Sequence, residues 1–355
     1  MDSGIWHKAV RRKRFAEKMK TKIRDAPLIH GWMAPANKRF RKNFIHIARR
    51  LPEVSFLDAK TFSIDGFFVG YSVGSVVMRV RDKTGTYVVK SAIDGARIKR
   101  EAAFLKRWRA VGVNTLKVLA LIIPTKHFPA TVEILEYIPT GTTEEEMHGR
   151  NKTQVLSLYT RLGKTLAQIK KAKGRGYGEV QSLKSFIGQH KTYGGQVGEI
   201  FTPARIRELH IHKLATYEEA KLITHAIAIV EADARRGTRP VLVHNDLGLH
   251  NTFGITAIKV FDPVAQISHP FVDVAVSLIW ASFGSYPAQS RAALRKGYGF
   301  KAKDEPVLQA VMYLKIMERW LWWLKRSKSE REALSWIRKT RSLFNTAKKS
   351  ITLDS

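Results

Sequence analysis

The sequence predicts an α+β fold in which a segment of short strands precedes a mostly helical remainder. Three observations predict it. From Phe56 to about Ile138, β-branched and aromatic residues gather in short runs divided by turn residues, which is a strand pattern. Beyond Thr140, apolar residues recur every three or four positions for most of the chain, which is a helix pattern. The 355 residues, 44% of them hydrophobic, supply enough apolar material for one large or two smaller domains. The expected organisation is a basic helical N-terminal extension over 1–50, a small β-rich part over 51–138 and a larger, mostly helical part over 139–355.

The elements follow in order. Residues 1–50 are helix-compatible, with Phe15, Met19, Ile23, Phe40, Phe44 and Ile47 spaced by three or four, and the stretch from Ala34 to Asn37 breaks them in two. Ser75–Arg81 and Thr86–Lys90 read as the strands of a hairpin turned by the residues from Asp82 to Gly85. A helix is expected over Ala96–Ala110, closed by Gly112, followed by strands over Leu116–Ile123 and Thr131–Tyr137 and a loop at Ile138–Gly141. Val155, Leu158, Leu162, Leu166 and Ile169 form one helical stripe, and Ile206, Leu209, Leu214, Tyr217, Ile223, Ile227 and Val230 a less regular one. The helical pattern stops between Pro240 and Val264, where Val241–Val243, Thr252–Phe253 and Ile258–Phe261 look like short strands flanking polar residues. Such a setting often holds a functional loop on a scaffold. Pro306–Lys349 is helical again and rich in Trp.

Composition excludes several classes. With no cysteine, neither a disulfide scaffold nor a Cys-based zinc module is possible, and a reducing cytosol is compatible. The N-terminus is basic without an apolar stretch behind it, and the longest nearly uncharged segment, Val274–Tyr286, is well short of the roughly 20 residues that span a bilayer. A cytoplasmic protein is expected, at most peripheral at the inner membrane face. Lys and Arg total 62 against 30 Asp and Glu, a net charge of +32 that collects polyanions or an anionic membrane surface. Residues 1–50 carry 15 Lys/Arg and 3 Asp/Glu and are the candidate membrane contact. A chain that is simply basic throughout is the alternative.

The segment His244–Asn251 contains His-x-Asp followed by four residues and Asn, and a hairpin later comes Asp262. Phosphoryl transfer from ATP needs a carboxylate that orients the acceptor hydroxyl and takes its proton, and oxygen ligands for Mg²⁺ on the phosphates. Asp246 and Asn251 on one loop, with Asp262 returned by a hairpin, can converge on one such centre. Upstream, Lys90 ends a strand and Glu101 sits on the next helix, the arrangement in which a Lys reaches phosphates and a Glu orients it. Gly70 and Gly74 precede the hairpin and can let main-chain N–H groups approach phosphates, a weak signal lacking the fuller glycine pattern. Each residue also has a plainer reading: Lys90 as a solvated strand end, Glu101 paired with Arg97, Asp246 and Asp262 as turn formers, Asn251 as a cap. His250 reads as a packed loop residue, since nothing pairs with it at metal-ligand spacing. Glu144–Glu146 reads as a helix start or as a site for a cationic acceptor.

In this order of motifs the chain resembles the aminoglycoside phosphotransferase and choline kinase-like family over roughly residues 65–290. The matching segments are Val88–Lys90, Arg100–Glu101, Ile134–Pro139, His244–Asn251, Val260–Pro263 and Pro270–Asp273, the last two closest to the streptomycin and hydroxyurea phosphotransferase branch. The resemblance implies a two-lobed protein-kinase-like fold, with a small β-rich N-lobe and a larger helical C-lobe. It also implies Mg²⁺ and ATP as cofactors, Asp246 as catalytic base, Asn251 and Asp262 as Mg²⁺ ligands, Lys90 as phosphate contact and Glu101 as its partner. Glu136 to Ile138 become the hinge facing adenine, and His244 and Asp273 support the catalytic loop, Asp273 bracing it or capping its helix. Asn245 stands where the family often has Gly, and Gly248-Leu249 replaces a frequent His-Pro pair.

A +32 chain is an awkward host for a polycationic drug, so the expected acceptor is a neutral or anionic hydroxyl compound, a small molecule or glycan and in one version an envelope lipid or saccharide. An RNA-directed kinase or a basic RNA-binding pseudokinase is the alternative. The Trp-rich segment Glu318–Arg326, where Trp320, Trp323 and Leu324 can share a face, reads either as core or as an interface for membrane or bases.

Overall fold

The computed structural model describes residues 63–68, 75–92, 95–123, 131–327 and 329–353. The expected extension over 1–50 lies outside the described residues, as do Gly70 and Gly74. Two compact units emerge, the first drawn from Met1–Lys106 and Leu116–Pro139 and the second from Arg107–Thr115 and Thr140–Ser355.

In the first unit, strands β1 (Ser63–Phe68), β2 (Ser75–Asp82) and β3 (Gly85–Ala92) lead into helix α1 (Gly95–Ala110), whose last residues belong to the second unit. Strands β4 (Val118–Ile122) and β5 (Thr131–Glu136) complete an antiparallel sheet of order β1-β2-β3-β5-β4. The β2–β3 hairpin closes as expected because the Asp82 carboxylate accepts the N–H groups of Thr84 at 2.8 Å and Gly85 at 3.0 Å, an Asx-type turn. Met78, Val80, Val132 and Ile134 are fully buried. So are Ile98 and Phe104 of α1.

The second unit begins its regular structure with α2 (Thr143–Met147) and α3 (Lys152–Ile169). The sequence starts them with reciprocal caps, Thr142 with Glu145 and Asn151 with Gln154, each side chain satisfying the other residue's main-chain N–H. Glu144–Glu146 is therefore a helix start. The run after α3 corrects the helical expectation. Strands β6 (Tyr177–Ser182) and β7 (Ile187–His190) intervene, with Gly176 and Gly178 at positive φ where the chain turns. Helices α4 (Tyr193–Ile200), α5 (Pro203–Ile211) and α6 (Tyr217–Arg235) follow. The irregular stripe of apolar residues is thus two helices, broken at 212–216.

Next come β8 (Val241–Val243), a 3-10 turn at Leu249–Asn251, β9 (Thr252–Phe253), β10 (Lys259–Val260) and β11 (Gln266–Ser268). Strands β7-β6-β11-β8 form one sheet and β9 pairs with β10. Four helices complete the chain: α7 (Phe271–Ala281), α8 (Pro287–Tyr298), α9 (Glu305–Arg326) and α10 (Glu330–Leu353). Helices α3 and α8 approach through glycine, since a Cβ on Gly163 would lie 2.1 Å from the Leu294 carbonyl oxygen. Helices α9 and α10 pack through aromatic rings, with Tyr313 stacked on Phe344 at 5.0 Å and Trp320 donating to the Thr340 hydroxyl at 2.9 Å. Trp320 and Trp323 are buried, so they serve the core, while Trp322 is 40% exposed. Among the described residues no helix is long and apolar enough to cross a membrane.

Candidate active site

Lys90, Glu101, Glu136 and Ile138 belong to the first unit. Lys90 is held in register between Val77 of β2 and Glu133 of β5, so its side chain starts from the middle of the sheet. Its ammonium meets both carboxylate oxygens of Glu101 at 2.7 and 2.6 Å, and both residues are buried. A solvated strand end would show neither feature. Burying two charges is costly unless they are paired and hydrogen-bonded as these are. Glu136 pairs with Lys117, accepting its N–H at 2.6 Å, and Ile138 is half-buried.

The other candidates lie in the second unit. β8 is wholly buried and delivers the chain into His244–Asn251. His244 is fully buried, its ring parallel to Trp108 at 5.9 Å and its Nε2 2.8 Å from the Phe261 carbonyl oxygen. Burial pushes its pKa down to about 4, so the imidazole is neutral and Nε2–H donates to that carbonyl. Asp273, in the first turn of α7, accepts the N–H groups of His244 at 2.8 Å and Asn245 at 2.7 Å. It therefore braces the loop across 28 residues of chain. Burial raises its pKa to about 6 against the opposing pull of those two donors and of Lys315.

Asp246 follows at the loop's turn, its side chain 26% exposed. Oδ1 accepts from Arg319 Nη2 at 2.9 Å and Trp280 Nε1 at 3.2 Å. Asn251 Nδ2 reaches both the Asp246 carbonyl oxygen at 2.8 Å and Oδ2 at 3.2 Å. Burial raises the carboxyl's pKa, but the charge of Arg319 and the His250 ring more than offset it and hold the group ionised, below the usual carboxylate range. His250 packs edge-on against Trp280 at 4.5 Å, with its Nε2 3.9 Å from Asp246 Oδ2. It is a packed loop residue.

Asp262 arrives through the β9–β10 hairpin. Thr252 pairs with Val260, and the Phe261 N–H donates to the Asn251 carbonyl at 3.2 Å, which brings the chain at Asp262 back to the end of the loop. Asp262 has φ +53 and Asn245 φ +57, a left-handed conformation that Asn and Asp tolerate better than most residues. Asn245 in place of Gly keeps that conformation available. Its side chain gains two partners, Lys315 at 2.7 Å and Gln266 at 3.2 Å. Gly248 is required by space, because a Cβ there would sit 2.6 Å from the His250 ring and 3.1 Å from Trp280.

The donor set fits Mg²⁺. Because Asn251 spends its amide nitrogen on Asp246, its amide oxygen is the end left for a cation, and Asp262 adds a half-buried carboxylate. Hard oxygen donors in small number, completed by water and phosphate, are what Mg²⁺ takes.

Two residues of α9 join this site that no sequence motif announced. Lys315 and Arg319, four apart and therefore on one helical face, both reach back to the loop. Lys315 is buried, holding Asn245 and Glu318, and burial lowers its pKa against the attraction of Glu318. Arg319 donates to the Asn245 carbonyl at 2.7 Å as well as to Asp246. The signal available in sequence was two cations four apart within the largely apolar middle of α9.

Residues 73–311 match the model of the phosphotransferase enzyme family. No curated protein matches the chain in sequence. Among solved structures, the aminoglycoside phosphotransferase APH(4)-Ia is similar with TM-score 0.59 and 14% identity, over 88% of this chain and 99% of that one. A microcompartment-associated aminopropanol kinase is similar with TM-score 0.59 and 17% identity, over 87% and 98%. A thermostable mutant of APH(4)-Ia in ternary complex with ADP and hygromycin B is similar with TM-score 0.52 and 14% identity, over 82% and 93%. At such identities the likeness establishes the protein-kinase-like fold. With more than half of its length matched by the family model, the chain belongs to the phosphotransferase enzyme family.

Proposed function

We propose that this protein transfers the γ-phosphate of Mg-ATP to a hydroxyl of a small-molecule or glycan acceptor that is neutral or anionic. The observation that carries the reading is the convergence at Asp246. An ionised carboxylate on a braced loop shares Asn251 with a neighbouring oxygen-donor position. The solved complex of an APH(4)-Ia mutant with ADP and hygromycin B supports nucleotide use and a hydroxyl-bearing acceptor.

In this reading Asp246 orients the acceptor hydroxyl and takes its proton. The acceptor oxygen forms a bond to the γ-phosphorus as the bond from that phosphorus to the bridging oxygen breaks, and ADP leaves with the electron pair. Asn251 and Asp262 would hold Mg²⁺, which when bound would neutralise charge on the phosphates. Lys90, kept straight by Glu101, contacts the phosphates, and the segment from Glu136 to Ile138 faces the adenine. The first unit is the nucleotide-binding domain and the second carries the acceptor. The sign of the acceptor follows from Arg319 beside the base and from the +32 chain, both of which disfavour an ammonium-bearing compound. An envelope lipid or saccharide at an anionic membrane face satisfies the same charge.

The test is transfer of label from γ-labelled ATP into extract separated into lipid, saccharide, RNA, protein and small-molecule fractions. Label should enter the lipid, saccharide or small-molecule fraction with the wild type. Asp246→Ala should lose transfer by about 10³-fold, within the range for removing a general base, while still binding Mg-ATP. Label confined to RNA, retained in a salt-dependent manner, would replace the small-molecule reading with an RNA-directed one. Wild-type turnover by Asp246→Ala would remove the base assignment.

A further inference from the structure

We propose that Arg319 is the positioning residue that decides which oxygen of Asp246 receives the acceptor's proton. The inference rests on the phosphotransferase reading and deepens it. Asp246 Oδ1 is occupied by two donors, Arg319 Nη2 at 2.9 Å and Trp280 Nε1 at 3.2 Å. Oδ2 is met at hydrogen-bond distance by Asn251 Nδ2 at 3.2 Å, the His250 ring nitrogen standing off at 3.9 Å. A carboxylate oxygen has room for about two strong donors, so Oδ1 is filled and Oδ2 keeps a free lone pair for an incoming hydroxyl.

Arg319 is built to hold that choice. The same Nη2 that meets Oδ1 also donates to the Asn245 carbonyl at 2.7 Å, which ties the carboxylate's orientation to the left-handed turn just before it. The guanidinium carbon lies 5.9 Å from the Trp280 ring centre and 5.8 Å from that of Trp322, so aromatic faces restrain its lateral movement. Four residues earlier, Lys315 grips the side chain of Asn245 at 2.7 Å, so one face of α9 holds both residues of the turn. Arg319 lies on α9, past residue 311 where the family match ends.

The experiment uses full-length protein with γ-labelled Mg-ATP and water as the acceptor, and compares Arg319→Ala, Arg319→Lys and Arg319→Gln with the wild type. Displacing reacting groups by about an ångström costs on the order of 10²-fold. Arg319→Ala should therefore lose kcat by about 10²-fold, with KM for ATP within about twofold of wild type, since a misaimed base leaves nucleotide binding intact. Free guanidinium added to Arg319→Ala should restore part of kcat, and Arg319→Lys, which lacks the planar fork, should remain impaired. Unchanged kcat in Arg319→Ala overturns the proposal. So does a loss that guanidinium leaves untouched and that comes with a lowered melting temperature in all three variants, because that is a structural role. Wild-type protein that turns over neither with water nor with extract acceptors overturns the phosphotransferase reading and this one with it. Wild-type turnover with unimpaired Arg319 variants overturns this one alone.

Discussion

The two units bury charge in different ways. In the first, Lys90 and Glu101 stand 11 residues apart and meet in a two-oxygen grip at 2.6 and 2.7 Å. In the second, the loop at His244–Asn251 is held by Asp273, Phe261, Trp280, Lys315 and Arg319, with sequence separations from 17 to 74 residues for the bonds they make to His244, Asn245 and Asp246. The difference teaches how each charge is stabilised. The first is a direct two-oxygen grip, whereas the braced loop spreads its electrostatics over groups of opposite tendency.

The largest effect on stability should come from breaking the direct pair. Glu101→Ala removes the carboxylate that grips the buried Lys90 ammonium with both oxygens, and loss of one partner of a buried pair costs about 3–5 kcal/mol. Chemical denaturation followed by a probe in each unit should place that loss in the first unit. An equal loss in both would show that the units unfold as one and would dissolve the contrast.

The second effect sharpens the account of the loop. His244 has its pKa pushed down to about 4 by burial, while an unfolded imidazole titrates near about 6.5. Its contribution to stability is complete above about pH 6.5 and is lost as pH falls through 4, since the unfolded chain takes up a proton that the folded chain refuses. At about 1.4 kcal/mol per pKa unit this amounts to about 3 kcal/mol. Asp273 has the opposite sign: with its pKa raised to about 6, its contribution is lost as pH rises through that value. His244→Gln removes the first and leaves the second. Thermal unfolding from pH 7 to 4.5 should therefore show a flatter or reversed acid slope in His244→Gln than in the wild type, and an unchanged slope would break the assignment to His244.

The smallest of the three is Gly163→Ala. With the added methyl 2.1 Å from the Leu294 carbonyl oxygen, α3 and α8 must separate. Overpacking of this kind costs about 1–3 kcal/mol. A lowered denaturation midpoint without change at the first unit's probe is the expected result.

Much of the fold was legible from short-range signals. The β2–β3 hairpin is announced by Asp82–Gly85, whose carboxylate makes the turn, and three helix starts by a capping residue with Glu or Gln three positions on. The strands β6 and β7 were not, because Val180 is nearly alone as a large apolar residue in β6 and its neighbours are glycine and polar residues that give no alternation. The Trp-rich C-terminal helix could be read either as core or as interface. Only packing against Thr340 and Phe344 of α10 put Trp320 inside.

The sequence by itself determined the order and chemistry of the candidate site. Lys90, Glu101, Asp246, Asn251 and Asp262 are types and spacings that local strand, helix and hairpin geometry suffice to present. Only the tertiary structure decided how the Asp246 loop is held: that Asp273 takes the amides of His244 and Asn245, that Asn245 adopts φ +57, and that Arg319 and Lys315 reach the loop from α9. The physical reason is range. Hydrogen bonds between residues 28 to 73 positions apart leave no periodic trace in sequence, because their partners are fixed by packed helices and strands rather than by the chain between them.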